Sequence, residues 1–178
     1  MAVQQLHHVA YRCNDAKETA DFYTKLLGLE YYAAVSEDTI PSTGEKCLYM
    51  HIFFAMADGS CVAFFEVPEA PPAIKDTNTP AWVQHLALVV EDEDELIEKK
   101  AKLQAAGVDV IGPTDHGFCQ SIYFFDPNGH RLELTVRTET PEMMERLRSS
   151  SEPMLEEWTK TKTVQRHAAW VHGGDAAE

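Results

Sequence analysis

Residues 114–133 read T-D-H-G-F-C-Q-S-I-Y-F-F-D-P-N-G-H-R-L-E, and this stretch says most about the fold. Asn128-Gly129 stands between two apolar runs, which is a strong hairpin signal. It predicts one strand that carries Tyr123 before the turn and another that carries Glu133 after it. The stretch therefore places a histidine (His116), a tyrosine and a carboxylate around one turn.

The chain repeats itself loosely. His8 and His85 lie 77 residues apart, and each begins an apolar run in which the histidine is followed by an apolar residue and an alanine. After each run come a polar break, a helix-like segment closed by glycine, and three strand-like runs. We therefore predict an α+β fold of two tandem βαβββ modules, over residues 4–67 and 81–137, joined by a proline-rich linker over 68–80.

Residues 138–178 form a separate tail. Thr140-Pro141 is typical of a helix start, with an N-cap residue followed by proline at the first helical position. Apolar residues at helical spacing predict two short amphipathic helices, separated near Pro153. We expect them to pack on the domain or on a second subunit.

Composition excludes several classes of function. The formal net charge is −14, which argues against nucleic acid as a partner, because phosphate binding needs clustered Lys and Arg. No apolar run is long enough to cross a membrane, and the N-terminus does not resemble a signal peptide. The four cysteines are scattered without a C-x-x-C pair, so we predict reduced thiols and a cytoplasmic protein.

The histidines and carboxylates provide the residue types of a 2-His-1-carboxylate metal site. Adjacent residues of a strand face opposite sides, so His7 and His8 cannot both point to one site, and the repeat favours His8. Two glutamates near strand ends, Glu133 and Glu66, compete as the carboxylate. Three ligands leave about three positions open on an octahedral metal, as Fe(II) needs to bind a chelating substrate and O₂. A fourth ligand leaves about two, which suits a metal that polarises a substrate oxygen.

The repeated modules, with histidine and glutamate at matching places, resemble the vicinal oxygen chelate superfamily over about residues 4–137. That superfamily includes glyoxalase I, extradiol dioxygenases, and fosfomycin and bleomycin resistance proteins. The resemblance implies that the modules curl into a cup-shaped mixed sheet around one metal ion. It implies His8, His85 and Glu133 as ligands, with Glu66 where glyoxalase I contributes a fourth.

The stretch 114–133 also resembles the metal-binding module of extradiol dioxygenases. There the residues that match His116 and Tyr123 lie beside the substrate, which implies catalytic roles for both. Extradiol enzymes also use an acid-base histidine on the strand before the second metal histidine, but residues 60–67 contain no histidine. Conversely, Glu66 fits a glyoxalase-like site, which has no need of His116.

Three functions follow from the resemblance. The first is an extradiol-type dioxygenase that acts on a small catechol-like substrate with Fe(II), or with Mn(II). The second is a glyoxalase I-like lyase or isomerase that uses Glu66 and either Ni(II) or Zn(II). The third is a module that binds small molecules without catalysis. In each case the expected partner is a small molecule, and the default assembly is a homodimer.

Overall fold

The computed structural model describes residues 3–72, 77–164 and 169–172. Its internal contacts divide the chain into two compact units. The first unit comprises Met1–His85, Lys102–Asp109 and Phe125–Leu132. The second comprises Leu86–Ala101, Val110–Phe124 and Glu133–Glu178. The predicted linker and tail each lie partly outside the described residues.

The first repeat has the predicted order of strand, helix and three strands. Its elements are β1 (His8–Cys13), α1 (Ala16–Asp21, continued by a π-helical turn over Phe22–Leu26), β2 (Glu30–Thr39), β3 (Lys46–Ala55) and β4 (Cys61–Glu66). The sheet order is β1-β4-β3-β2, with β1 parallel to β4 and the other pairs antiparallel. Tyr23, in the π-helical turn, packs against this sheet and stacks on Phe54 at 5.3 Å between ring centroids.

The second repeat has the same order and the equivalent topology. Its elements are β5 (Leu86–Val89), α2 (Glu93–Ala105), β6 (Ile111–Asp115), β7 (Cys119–Phe125) and β8 (Arg131–Arg137), with the sheet order β5-β8-β7-β6. The prediction of two tandem βαβββ modules in an α+β fold is therefore confirmed. Strand β6 begins only at Ile111, because the Val108 amide donates to Leu103 O and closes the helix.

The predicted hairpin at Asn128-Gly129 is present, and Asp126 organises its turn. The Asp126 carboxylate accepts hydrogen bonds from the amides of Asn128 and His130, at 2.9 and 2.8 Å. It also accepts from the buried Tyr23 hydroxyl at 3.1 Å. Gly129 has φ +85°, a conformation that favours glycine. The turn therefore spans five residues, from Asp126 to His130, and is anchored to the core of the first unit.

The tail contains one continuous helix, α3 (Pro141–Thr161), where two short helices were predicted. Thr140 caps it as expected, accepting from the Met143 amide. Pro153 lies inside the helix and cannot donate a backbone hydrogen bond. The hydroxyls of Ser149, Ser150 and Ser151, in the turn before it, donate to carbonyls three residues back. None of the helices in the described ranges is long and apolar enough to span a membrane.

Candidate functional site

Three of the predicted site residues are joined by hydrogen bonds in the second unit. Tyr123 on β7 donates from its hydroxyl to Glu133 Oε1 on β8, at 3.2 Å. His116 Nε2 lies 2.7 Å from the same hydroxyl oxygen. An ionised carboxylate can only accept, so the tyrosine proton goes to Glu133 and His116 Nε2 must donate to Tyr123. The proton order is therefore His116 to Tyr123 to Glu133.

The local sequence explains why His116 reaches Tyr123. His116 follows β6 directly and its amide donates to Cys119 O at 2.9 Å, which closes a tight turn between β6 and β7. Gly117 sits in this turn with φ +81°, and its amide donates to the Asp115 carboxylate at 2.7 Å. The turn thus directs the imidazole back over β7.

Burial sets the electrostatics of this group. Glu133 is only 6% exposed, whereas an isolated buried carboxylate is costly unless it is paired or hydrogen-bonded. Burial raises the pKa of Tyr123 above its ordinary value, and the neighbouring Glu133 charge raises it further. Tyr123 therefore stays protonated at neutral pH and remains a hydrogen-bond donor to Glu133.

In the first unit, His8 shares one face of the sheet with a second histidine. The strand register pairs His51 with Phe65 and Phe53 with Ala63, and places these residues on the same side as His8. The ring centroid of His8 lies 6.1 Å from that of His51 and 5.7 Å from that of Phe53. We call this surface the His8 face.

His51 was not among the predicted site residues. Its ring stacks on Phe65 with centroids 3.6 Å apart and contacts Phe53 at 4.1 Å. Burial lowers the pKa of His51, and His8 lowers it further, so the ring is held in its neutral form. The alternation of side chains along β3 could have indicated His51. Ile52 and Phe54 have the character of core residues, which puts the odd-numbered residues of the strand on the other face.

Glu66 lies elsewhere in the first unit. Its strand position is opposite Cys13, five residues along β1 from His8, which is about 16 Å at about 3.3 Å per residue. It is also on the opposite face of the sheet from His8. Its carboxylate accepts from the Ala16 amide at 2.6 Å, at the start of α1. Glu66 therefore lies away from His8 and caps the start of α1.

The two hairpins show why Glu66 is not the counterpart of Glu133. Asp58-Gly59 and Asn128-Gly129 stand 70 residues apart, and the glycines have φ +82° and +85°. The turns also share the same backbone bonds, from Met56 N to Ser60 O and from Asp126 N to His130 O. With this spacing the counterpart of Glu133 is Ala63 and that of Tyr123 is Phe53.

The two histidines of the predicted metal site each have a bond at Nδ1. His85, which precedes β5, has Nδ1 3.1 Å from Val83 O. A carbonyl only accepts, so this bond puts the proton on Nδ1 and leaves Nε2 as the atom able to bind a metal. His8 Nδ1 is 2.7 Å from His7 Nδ1, and this contact engages His8 on the same ring nitrogen.

Each of the three predicted ligands, His8, His85 and Glu133, is chemically suited to bind a divalent metal. Two imidazoles held at Nδ1 and one buried carboxylate are the donors of a 2-His-1-carboxylate site. Within the part of each unit that the structure describes, no three His, Cys, Asp or Glu side chains form a group that could hold a metal. The predicted ligands belong to both units, so the site remains a prediction.

Comparison with known proteins agrees with this description. The sequence model of the Glyoxalase/Bleomycin resistance protein/Dioxygenase superfamily matches residues 5–134. The chain is 29% identical over 143 residues to a Bacillus subtilis (strain 168) protein named as a ring-cleaving dioxygenase, MhqA, covering 78% of this chain and 42% of MhqA. It is 27% identical over 134 residues to the glutathione transferase FosA of Serratia marcescens, covering 75% and 82%.

The chain thus spans less than half the length of MhqA. Among solved structures, the fosfomycin resistance protein FosX from Listeria monocytogenes, in complex with Mn(II) and sulfate, superimposes with a TM-score of 0.56. The match covers 79% of this chain and 97% of FosX at 22% identity, so it supports the fold alone.

Proposed function

Because the chain belongs to the Glyoxalase/Bleomycin resistance protein/Dioxygenase superfamily, we propose that it is a metal-dependent, extradiol-type dioxygenase. Its substrate would be a small catechol-like molecule with two vicinal oxygens. The observation that carries this proposal is the hydrogen-bonded group of His116, Tyr123 and Glu133. In this proposal His116, next to Tyr123 and the candidate ligand Glu133, would serve as the general acid and base for a hydroxylated substrate.

In this proposal His8, His85 and Glu133 hold the metal, with Fe(II) favoured and Mn(II) possible. Such an ion would supply a Lewis acid that binds the two vicinal oxygens and O₂. The protein side chains would orient the substrate and move its proton. Tyr123 would hold its hydroxyl proton toward Glu133 and fix the orientation of that carboxylate.

His116 would exchange the substrate proton. Its Nε2–H is committed to Tyr123, so the exchanging atom would be Nδ1. When Nδ1 takes a proton, the ring becomes a cation whose charge is stabilised through Tyr123 by Glu133. The proton could then be returned later in the reaction without breaking the bond to Tyr123.

The glyoxalase I-like alternative loses its distinguishing residue. Glu66 is engaged with the Ala16 amide on the opposite face of the sheet from His8, and Ala63 stands at the position that corresponds to Glu133. A site with four protein ligands, and with it Ni(II) or Zn(II) lyase chemistry, is therefore disfavoured.

A second candidate is transfer of a thiol to a small electrophile. The glutathione transferase FosA aligns over more of its own length than MhqA does, which is the observation in its favour. The same three donors would serve that chemistry, whereas the His116–Tyr123 pair would have no assigned role in it. We therefore rank ring cleavage first.

The test begins with metal content. Protein purified without chelators should contain iron or manganese, which should be lost in His85→Ala and kept in Glu66→Ala. After anaerobic reconstitution with Fe(II), catechols should cause O₂ uptake and the absorbance of a ring-opened product. Tyr123→Phe should lower this rate at least tenfold, and Tyr32→Phe, an exposed tyrosine on β2, should not change it.

The other candidates give different results in the same experiment. Consumption of glutathione in the presence of fosfomycin, without O₂ uptake from any catechol, would replace ring cleavage by thiol transfer. Absence of metal in every sample, with none taken up on addition, would leave a binding module. Loss of the metal in Glu66→Ala would restore the four-ligand alternative.

A further inference from the structure

The His8 face of the first sheet ends in an apolar pocket within the first unit. The pocket has a volume of about 320 Å³, near the lower end of the range for small-ligand sites. It is lined by seven residues from β3, from β4 and the residue that follows it, and from the β2–β3 turn: Ile40, Pro41, Ser42, Cys47, Tyr49, Phe65 and Val67. Its lining is mostly apolar, with one thiol and two hydroxyl groups.

The pocket and His8 belong to one continuous surface. Tyr49 and Phe65 lie on the same side of the sheet as His8, since His51 pairs with Phe65 and Tyr49 is two residues from His51 along β3. The Tyr49 and Phe65 rings meet edge to face at 5.5 Å. His51 stacks on Phe65 and lies between the pocket and His8.

The ring nitrogen Nε2 of His51 is the feature that indicates a bound ligand. Its Nε2 is buried and has no hydrogen-bond partner among the described residues. Stacking on Phe65 and contact with Phe53 hold the ring in place. A buried polar atom without a partner is unfavourable and rare in native proteins, so it calls for a bound group that supplies the missing bond.

We propose that this surface is a substrate subsite, in which the pocket takes an apolar substituent and His51 Nε2 bonds a polar group on the aromatic ring. The substrate class is then a catechol with a short alkyl or similar apolar substituent. This inference rests on the proposed function and narrows it. A fixed imidazole beside an apolar pocket would select substituted rings over catechol itself.

The test is equilibrium binding to protein without metal and without O₂, which is independent of turnover. Calorimetric titration should show that 4-butylcatechol binds at least tenfold more tightly than catechol, because the butyl carbons are buried. Cys47→Phe, which fills the pocket, should abolish that preference and leave catechol binding within about twofold. Leu48→Phe, the next residue on β3 and on the opposite face, is the matched control and should retain it.

His51→Phe keeps the stack but removes the nitrogen. It should weaken binding of both ligands by about three- to tenfold, the contribution of one hydrogen bond. It also tests the subsite if Cys47→Phe does not fold, as judged by circular dichroism. Equal affinity for both ligands in the wild type, an unchanged preference in Cys47→Phe, or no effect of His51→Phe would overturn the subsite.

The two proposals fail in distinguishable ways. If ring cleavage occurs without a preference for the butyl compound, the subsite is wrong and the dioxygenase proposal stands. If the preference and its loss in Cys47→Phe are observed without O₂ uptake from either catechol, the subsite stands and the reaction is wrong.

Discussion

Removal of the Tyr123 hydroxyl tests the hydrogen-bonded group on which the proposed reaction depends. Tyr123→Phe removes the 2.7 Å contact of the hydroxyl with His116 Nε2 and its 3.2 Å bond to Glu133 Oε1. The ring itself should still fit, because Phe53 occupies the corresponding position in the first hairpin. The change is therefore one of hydrogen bonding, with little alteration of packing.

The expected loss of stability depends on the surroundings of the Glu133 carboxylate. Glu133 is 6% exposed and would lose a donor that it cannot replace fully from solvent. Loss of one hydrogen bond to a buried charged group costs about 1.5–3 kcal/mol. We expect the free energy of unfolding to fall by about 2 kcal/mol in urea at pH 7. Tyr32→Phe should fall within about 0.5 kcal/mol of the wild type, as exposed substitutions usually do.

A double-mutant cycle makes the reasoning refutable. His116→Gln alone and combined with Tyr123→Phe should give a coupling energy of about 1 kcal/mol, because the two groups are in direct contact. If the two changes add to within about 0.3 kcal/mol, the His116–Tyr123 bond does not exist in solution. The proton order inferred for the site would then have no basis.

Three further predictions concern the surroundings of the site. Glu66→Ala should lower the free energy of unfolding by about 1–2 kcal/mol, because the Ala16 amide loses its acceptor, while metal content stays unchanged; loss of metal would contradict the assignment. Gly117→Ala should destabilise more than Gly129→Ala, since both have positive φ but only the first would place a Cβ against the Val171 backbone; equal thermal shifts would show that the tail does not pack there. Burial and then Asp126 raise the pKa of Tyr23 well above its ordinary value. The stabilisation that the protonated Tyr23 gives the folded state is therefore complete below pH 10 and is lost as the pH rises further. In urea unfolding experiments, Tyr23→Phe should lose less stability at alkaline pH than the wild type.

The sequence was sufficient to predict the repeat and the grouping of residues around the second hairpin. Hydrophobic alternation, turn glycines and the repeated histidine predicted two βαβββ modules, because those signals are local. The grouping of His116, Tyr123 and Glu133 was also within reach, since all three lie in or beside one hairpin whose register is set by its turn. Contacts between residues that are close in the chain can therefore be predicted from a single sequence.

Residues whose roles depend on long-range register were harder to place. Glu66 ends an apolar strand, as a ligand glutamate would, but its face depends on how β4 pairs with β1 and β3. A shift of one position along a strand moves a side chain to the other face. The composition of the run therefore could not show on which face Glu66 lies. His51 was overlooked for the same reason. Alternation along β3 places it on the face away from the core, but only the pairing of β3 with β4 and of β4 with β1 puts it on the same face as His8.

The spacing of the repeats suggests why the proposed subsite and the group of His116, Tyr123 and Glu133 belong to different modules. Forty-five residues separate His8 from Phe53, but thirty-eight separate His85 from Tyr123, although the hairpins that follow are equal in length. The additional residues fall in β2, β3 and the turn between them, where strands of ten residues replace the five and seven of β6 and β7. Ile40, Pro41 and Ser42 of that turn form one wall of the pocket. The first module has Phe53 and Ala63 where the second has Tyr123 and Glu133. It therefore lacks the polar pair, but its longer β2–β3 turn forms one side of the pocket. Such a division would let the pocket change its substrate preference without disturbing the residues proposed to carry the reaction.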